Sequence, residues 1–410
     1  MNVLFDATWI GSHYRKQAMH GGLRVIHELT KGLECSDEID LFYCSNKYDE
    51  NIINNLQLYL NENNYYGVNK IANKRGEVFR KIEYLKRRTN SFFKKKAHIN
   101  FDINLPYYDK DILSKVDVYH SPLEAIPNEI KDYKNIKRVF TSHDLMPFTR
   151  PDLAPLSFFN ILSKAYDSID TETNIICVSE FTKSELLNYR KDLDESKVDV
   201  IYLGADKNIF YQNSDALQLQ ALYEKYNFKF DNYLLCLNRN QKYKNTNHII
   251  NAYLNVIKDS NLSDLGLVLI GTFENATQKK EFLEKYKLYK HIHFIEYVPD
   301  YELSIFFSNA LSFVYMSLYE GFGLPVIEAM QCGTPVISSN QASLPEVISN
   351  YGICIDPFDI DLLSEKICLL AKSEELQGKF KKQSLERSNF FSWDKNLQET
   401  ISVYKKITNS

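Results

Sequence analysis

The sequence predicts an α/β protein built from two Rossmann-like, doubly wound domains that face a central cleft. Short apolar runs alternate with helix-length amphipathic segments along the whole chain. Alternation of this kind gives parallel sheets covered by helices on both faces. The strand runs are too many for one comfortable sheet. A length of 410 residues leaves room for two or three domains.

In the first half the strand candidates are 3–10, 39–44, 116–120, 137–142, 174–179 and 198–203. In the second half they are 232–238, 265–271, 291–298, 311–317, 334–339 and 352–356. Helical periodicity marks 22–34, 155–170, 180–190, 245–258, 301–310 and 359–371. A break falls near 204–231, where Gly204-Ala-Asp-Lys-Asn closes the last strand of the first half. A polar stretch from Tyr211 and a helix follow, and a new apolar strand begins at Asn232. The expected domains are therefore 1–205 and 206–390. Residues 391–410 form a tail helix, with Ser392 as N-cap and Trp393, Leu397, Ile401 and Tyr404 on one face. It is expected to pack back on the first domain.

Composition narrows the function classes. Hydrophobic residues are 44% and charged residues 25%, and 28 Tyr with 25 Phe supply ample core, which excludes bulk disorder. A net charge of −4 argues against a nucleic-acid partner. No apolar stretch is long enough for a transmembrane helix. The opening Met1-Asn-Val-Leu-Phe-Asp reads as a buried strand rather than a signal peptide. The 7 cysteines are scattered without a Cys-x-x-Cys, so no zinc site or disulfide framework is expected, and a reducing cytoplasm fits. Residues 70–96 stand apart. Eleven Lys and Arg against Glu77 and Glu83, with Val78, Ile82, Leu85, Phe92 and Phe93 at helical spacing, make a basic amphipathic stretch. The segment 70–98 is a candidate for an anionic membrane surface, which would place the protein peripherally on the inner face of the plasma membrane; the alternative is a solvated helix.

The most informative stretch is Tyr319-Glu-Gly-Phe-Gly-Leu-Pro-Val-Ile-Glu-Ala-Met-Gln-Cys-Gly-Thr-Pro-Val-Ile, between the strands at 311–317 and 334–339. Pro325 suits the first turn of a helix and Gly333 its end. The loop carrying Glu320, Gly321, Phe322, Gly323 and Leu324 thus lies at the C-terminal edge of a parallel sheet, where such folds bind ligands. Gly321 and Gly323 let backbone approach a ligand, and the first N–H groups of the helix favour an anion. Glu320 and Glu328 suit hydroxyl donors, as on a sugar and a ribose.

This stretch resembles the signature of family 4, the retaining, nucleotide-sugar-dependent glycosyltransferases of the GT-B fold (glycosyl transferases group 1). The resemblance covers most of the chain and is strongest over 232–360. It implies that Glu320 contacts the donor sugar, that the amides of Gly321, Phe322, Gly323 and Leu324 bind sugar and phosphate, and that Glu328 binds the ribose. Asn238, Arg239 and Lys244, after the strand at 232–238, resemble the family's diphosphate-binding step; Lys242 is an alternative to Lys244. Arg and Lys neutralise charge growing on a leaving phosphate. Tyr297 and Val298 resemble the segment flanking the nucleobase. Gly21 and Gly22, at a helix start, match the loop near the donor phosphate. His143 matches a residue near the reaction centre, with Asp144 beside it and His120 as a rival for that place. The family's first domain binds acceptor and its second binds donor.

The reading is therefore a retaining hexosyltransferase. It would use a UDP- or GDP-sugar and a hydroxyl of a glycan or lipid-linked glycan, in bacterial surface polysaccharide or glycoconjugate synthesis. The triplets Asp109-Lys-Asp111, Asp192-Leu-Asp194 and Asp359-Ile-Asp361 read as caps or surface residues, so neither metal nor cofactor is expected. The alternatives are a non-catalytic nucleotide-sugar-binding subunit, or another GT-B enzyme such as an epimerase or phosphorylase.

Overall fold

The computed structural model of the chain describes residues 1–13, 21–47, 49–63, 65, 71–73, 108–154, 156–228, 230, 232–237, 241–273 and 275–409. All twelve apolar runs contain a strand. The first sheet holds β1 (Asn2–Asp6), β2 (Asp40–Cys44), β3 (Val118–Ser121), β4 (Lys137–Ser142), β5 (Thr173–Cys177) and β6 (Val198–Val200), in the order β2-β1-β3-β4-β5-β6. The second holds β7 (Tyr233–Leu237), β8 (Gly266–Ile270), β9 (Ile292–Ile295), β10 (Ser312–Tyr315), β11 (Val336–Ser339) and β12 (Ile353–Ile355), in the order β12-β11-β10-β7-β8-β9. The pairings within both sheets are parallel. Helices surround both, which gives two Rossmann-like sheets of the kind expected.

The second sheet has a feature with chemical consequences. The chain winds outward from β7 through β8 to β9, then returns to the other side of β7 with β10 and continues to β11 and β12. β7 and β10 are neighbours, paired at Ser312 with Leu234 and Phe313 with Leu235. The strand order reverses between them, and the loops leaving their C-terminal ends diverge around a crevice. These are the loops that carry Lys244 and Glu320.

The core beneath them explains the apolar runs. Leu234, Leu235, Leu267, Val268, Phe313 and Val314 are fully buried. A central parallel strand has no solvent face, so every residue in it is apolar or small. Ile249, Ile250 and Tyr253 of the helix Thr246–Val256, with Leu363 and Ile367 of the helix Ile360–Lys372, form one core with Leu234, Leu267 and Val314. Burial pushes the Cys236 thiol up to about 12, so it acts there as a small hydrophobe.

The expected strand at 3–10 is too long. The chain leaves β1 at Asp6 and enters a helix over Thr8–His13. Asp6 Oδ1 accepts the Thr8 N–H at 2.9 Å and the Thr8 hydroxyl at 2.5 Å, a local turn that competes with strand extension. The three Asp-x-Asp triplets each supply a helix cap: Asp109, Asp194 and Asp359 accept N–H groups of Asp111, Ser196 and Leu362.

The chain forms two compact units, one of Met1–Thr141, Ser163–Asn174 and Tyr404–Ser410, the other of Ser142–Leu162 and Ile175–Val403. The tail helix runs over Trp393–Thr408, and Ser392 Oγ accepts the N–H groups of Asp394 and Lys395, as its N-cap role requires. In the first unit, the Tyr404 hydroxyl meets His120 Nδ1 at 2.5 Å, and His120 Nε2 meets Thr141 Oγ1 at 2.7 Å. His120 and Tyr404 are both fully buried. His120→Ala leaves a cavity and two hydroxyls without their partner, so we expect a loss of about 2–4 kcal/mol in urea denaturation. An unchanged midpoint would show that this trio does not hold the tail.

Candidate active site

The site grows from the C-terminal ends of β7 and β10. Beyond β10, alternate residues share a side, so Tyr315 and Ser317 reach the same place. Both hydroxyls donate to Glu320 Oε1 at 2.7 Å. Beyond β7, the single turn Lys242–Lys244 brings Lys244 Nζ to Glu320 Oε1 at 2.7 Å and to the Tyr315 hydroxyl at 2.5 Å. The ammonium also lies 4.9 Å from the Tyr243 ring centre and 4.7 Å from that of Tyr315. Asn245 follows with φ +55°, a left-handed conformation that Gly and Asn tolerate best.

The Lys244 and Glu320 side chains are only 10% and 15% exposed. Two charges drawn this far from water need compensating bonds. Three donors converge on Glu320 Oε1, and among the described residues none reaches Oε2. That oxygen is available to hydroxyl donors of a ligand.

The backbone of the same loop is polarised. Ser343 Oγ lies 2.9 Å from the carbonyl oxygens of both Glu320 and Phe322 and shares its one hydrogen between them. Gly321 O accepts from Ser179 Oγ at 2.6 Å and Thr182 Oγ1 at 3.1 Å. Gly323 O accepts the Val326 N–H at 2.9 Å. Among the described residues no acceptor meets the N–H groups of Gly321, Phe322, Gly323 or Leu324. Carbonyls engaged by protein and N–H groups left over make an oxyanion- or phosphate-binding surface at the start of the helix Leu324–Gln331. Both glycines are required. Gly323 has φ +102°, and a Cβ on Gly321 would lie 1.8 Å from the His143 carbonyl oxygen.

That contact brings His143 and Asp144 to the loop. Asp144 Oδ1 accepts the Met146 N–H at 3.0 Å. Burial, reinforced by the nearby Glu320 and Glu185 carboxylates, pushes the Asp144 carboxyl up to about 6. The Tyr319 hydroxyl accepts the Leu145 N–H at 3.1 Å and donates to Glu185.

The structure separates the two lysines, since Lys242 donates to the Asp152 carbonyl at 3.1 Å while Lys244 meets Glu320. Glu328 sits in the second turn of its helix at 2% exposure. Phe322 turns its ring into a cluster with Tyr202 and Phe391, so it offers a ligand only its backbone. Leu324 and Val298 are buried, and Tyr297 is 47% exposed. Gly21 and Gly22 open the helix Gly21–Glu34 of the first unit, and a Cβ on Gly22 would meet none of the described residues within 4 Å. His120 is enclosed in the first unit with both ring nitrogens engaged. Asn238, Arg239 and, except for 71–73, the basic segment 70–98 lie outside the described residues. Tyr315, Ser317, Ser179, Thr182 and Ser343 escaped the sequence reading. Period-two placement beyond β10 could have pointed to Tyr315 and Ser317; no local signal ties the other three to the loop.

The winding order of the second sheet places an ion pair and an amide-lined loop at its reversal point, an arrangement suited to the hydroxyl and phosphate groups of a ligand. Residues 220–387 match the family described as glycosyl transferases group 1. O-antigen chain mannosyltransferase B of Escherichia coli is 30% identical over 296 residues, 71% of this chain and 74% of that protein. The chain belongs to this family and is a glycosyltransferase. O-antigen chain mannosyltransferase RfbU of Salmonella typhimurium is 29% identical over 224 residues, 54% of this chain and 57% of its own length. A glycosyltransferase structure from Rickettsia africae shares the fold with a TM-score of 0.68 at 19% identity, covering 99% of this chain and 98% of that one.

Two outcomes follow from the geometry. Gly321→Ala must displace either the loop or His143, and transfer should fall at least about tenfold; wild-type turnover would show that the loop shifts freely. The raised Asp144 pKa means that this group's favourable contribution to stability is complete below its ordinary value near 4. It is lost as pH rises through about 6. Asp144→Asn keeps the acceptor for Met146 and removes the charge. At pH 8 the variant should melt about 5 °C above wild type, with the gap closing toward pH 4; a gap independent of pH would contradict this.

Proposed function

We propose that the chain transfers a mannosyl or related hexosyl group from a nucleoside-diphosphate sugar to a hydroxyl of a glycan or lipid-linked glycan. The setting would be bacterial surface polysaccharide synthesis, with retention at the anomeric carbon and without a metal ion. The observation that carries the reading is the Glu320 loop: one carboxylate oxygen held by Lys244, Tyr315 and Ser317 and, among the described residues, no donor on the other and no acceptor on four consecutive N–H groups. The mannosyltransferase relatives support the choice of sugar.

In this reading Glu320 Oε2 accepts hydrogen bonds from sugar hydroxyls, and the loop amides hold sugar and phosphate oxygens. Lys244 and Arg239 stabilise the charge that grows on the departing diphosphate. Attack comes from the face the diphosphate leaves, and the diphosphate itself takes the acceptor's proton, so no side-chain nucleophile is needed. Glu328 takes the ribose hydroxyls, and Tyr297 with Val298 flank the base. Gly21 and Gly22 lie by the donor phosphate, and His143 lies at the reaction centre.

The test is transfer from GDP-mannose and a panel of UDP- and GDP-hexoses to a lipid-linked glycan pool, with anomeric configuration read by NMR and chelator present. Glu320→Gln and Lys244→Ala should each reduce kcat about 10²–10³-fold. Undiminished transfer in both variants would overturn the site, and a strict divalent-cation requirement would overturn the metal-free mechanism. The basic segment 70–98 is proposed to bind anionic membrane from the cytoplasmic side; no described helix is long and apolar enough to cross one. Vesicles containing phosphatidylglycerol should sediment the protein, and charge reversal across 86–96 should prevent it. Equal binding to neutral vesicles would refute this.

A further inference from the structure

We propose that Ser179 and Thr182 are positioning residues of the donor loop, clamping the Gly321 carbonyl so that the next N–H group is aimed at the donor. The proposal rests on the reading of the loop as a nucleotide-sugar site and adds two residues that neither the family signature nor the relatives point to.

The peptide unit is planar. The C=O of one residue and the N–H of the next belong to one rigid trans unit and point in opposite directions. Fixing a carbonyl therefore fixes the N–H that follows it. Ser343 fixes the carbonyls of Glu320 and Phe322, and so orients the N–H groups of Gly321 and Gly323. Ser179 Oγ and Thr182 Oγ1 fix the carbonyl of Gly321, and so orient the N–H of Phe322. Gly321 lacks a side chain that could restrain it, and Gly323 sits at positive φ, so the loop has little intrinsic preference to hold this arrangement. The restraint must come from outside it.

Ser179 and Thr182 are suited to supply it. Both are fully buried. Ser179 is the N-cap of the helix Glu180–Tyr189, where its oxygen accepts the Thr182 N–H at 3.0 Å. Capping uses Ser179 Oγ as an acceptor and leaves its hydrogen free to donate. Thr182 takes part in the cap through its backbone N–H, so its hydroxyl is not needed for the helix. The donor capacity of the pair is thus separate from its local structural role, and it ends on one carbonyl 139 or more residues away in the chain. The two hydroxyls are themselves hydrogen-bonded at 2.8 Å, so at any moment one hydrogen links them and the other is donated to Gly321 O.

Thr182→Val removes one donor with no change in shape, Ser179→Ala removes the other, and Thr182→Ser restores the hydroxyl. The readouts are kcat for transfer and calorimetric affinity for two ligands: a nucleoside-diphosphate sugar (GDP-mannose or UDP-glucose, whichever the wild type binds) and the matching nucleoside monophosphate. The double variant should lose about tenfold in kcat and in nucleotide-sugar affinity. Its monophosphate affinity should stay within about twofold, and Thr182→Ser should recover most of the single-variant loss. Wild-type kcat in the double variant, parallel loss of both affinities, or failure of Thr182→Ser to recover would each overturn the clamp. A wild-type protein that binds no nucleotide sugar would instead refute the donor-site reading, and the clamp would fall with it.

Discussion

The Lys244–Glu320 pair is the interaction on which the rest of the site depends. Each member leaves a different strand, and the two strands touch only because the sheet reverses its order between β7 and β10. A carboxylate and an ammonium this far from water are costly to bury. The cost is offset by the Tyr315 and Ser317 hydroxyls and by two aromatic rings beside the ammonium. The result is a preorganised pair of opposite charges with one carboxylate oxygen that no donor among the described residues reaches. Such a pair contributes little to stability, and its value is in holding fixed charges where a ligand's hydroxyls and phosphates can meet them.

Backbone polarity completes what the pair begins. Serine and threonine hydroxyls hold the carbonyls of Glu320, Gly321 and Phe322, so the loop presents its N–H groups together. Glycine is needed for two separate physical reasons. At 323 the chain takes a left-handed turn, and at 321 it passes against the His143 carbonyl with no space for a methyl group. The same close approach brings Asp144 near Glu320, and burial, with the Glu320 and Glu185 charges adding to it, raises the Asp144 pKa.

Much of this was legible in the sequence. The apolar runs at 232–238 and 311–317 contain β7 and β10, Pro325 opens a helix, and Gly333 ends it with φ +75°. Where the reading overran, a polar side chain intervened: Asp6 draws the Thr8 N–H and hydroxyl into a turn and ends β1 early. His120 and His143 looked equivalent, each following an apolar strand. The fold separates them, because the ring of His120 is closed off by Tyr404 and Thr141 whereas the carbonyl of His143 abuts the glycine loop.

The sequence by itself determined the alternation of strands and helices, the family, and the chemical character of the Glu320 loop. Side-chain periodicity, proline's fixed φ and glycine's freedom act within a few residues and are written directly in the order of amino acids. Only the tertiary structure decided that Lys244 rather than Lys242 meets Glu320, that Tyr315 and Ser317 brace that carboxylate, and that Ser179, Thr182 and Ser343 hold the loop's carbonyls. Apart from Tyr315 and Ser317, which lie within five residues of Glu320, those contacts join residues far apart in the chain. They follow from which strands lie side by side, and periodicity carries no information about that.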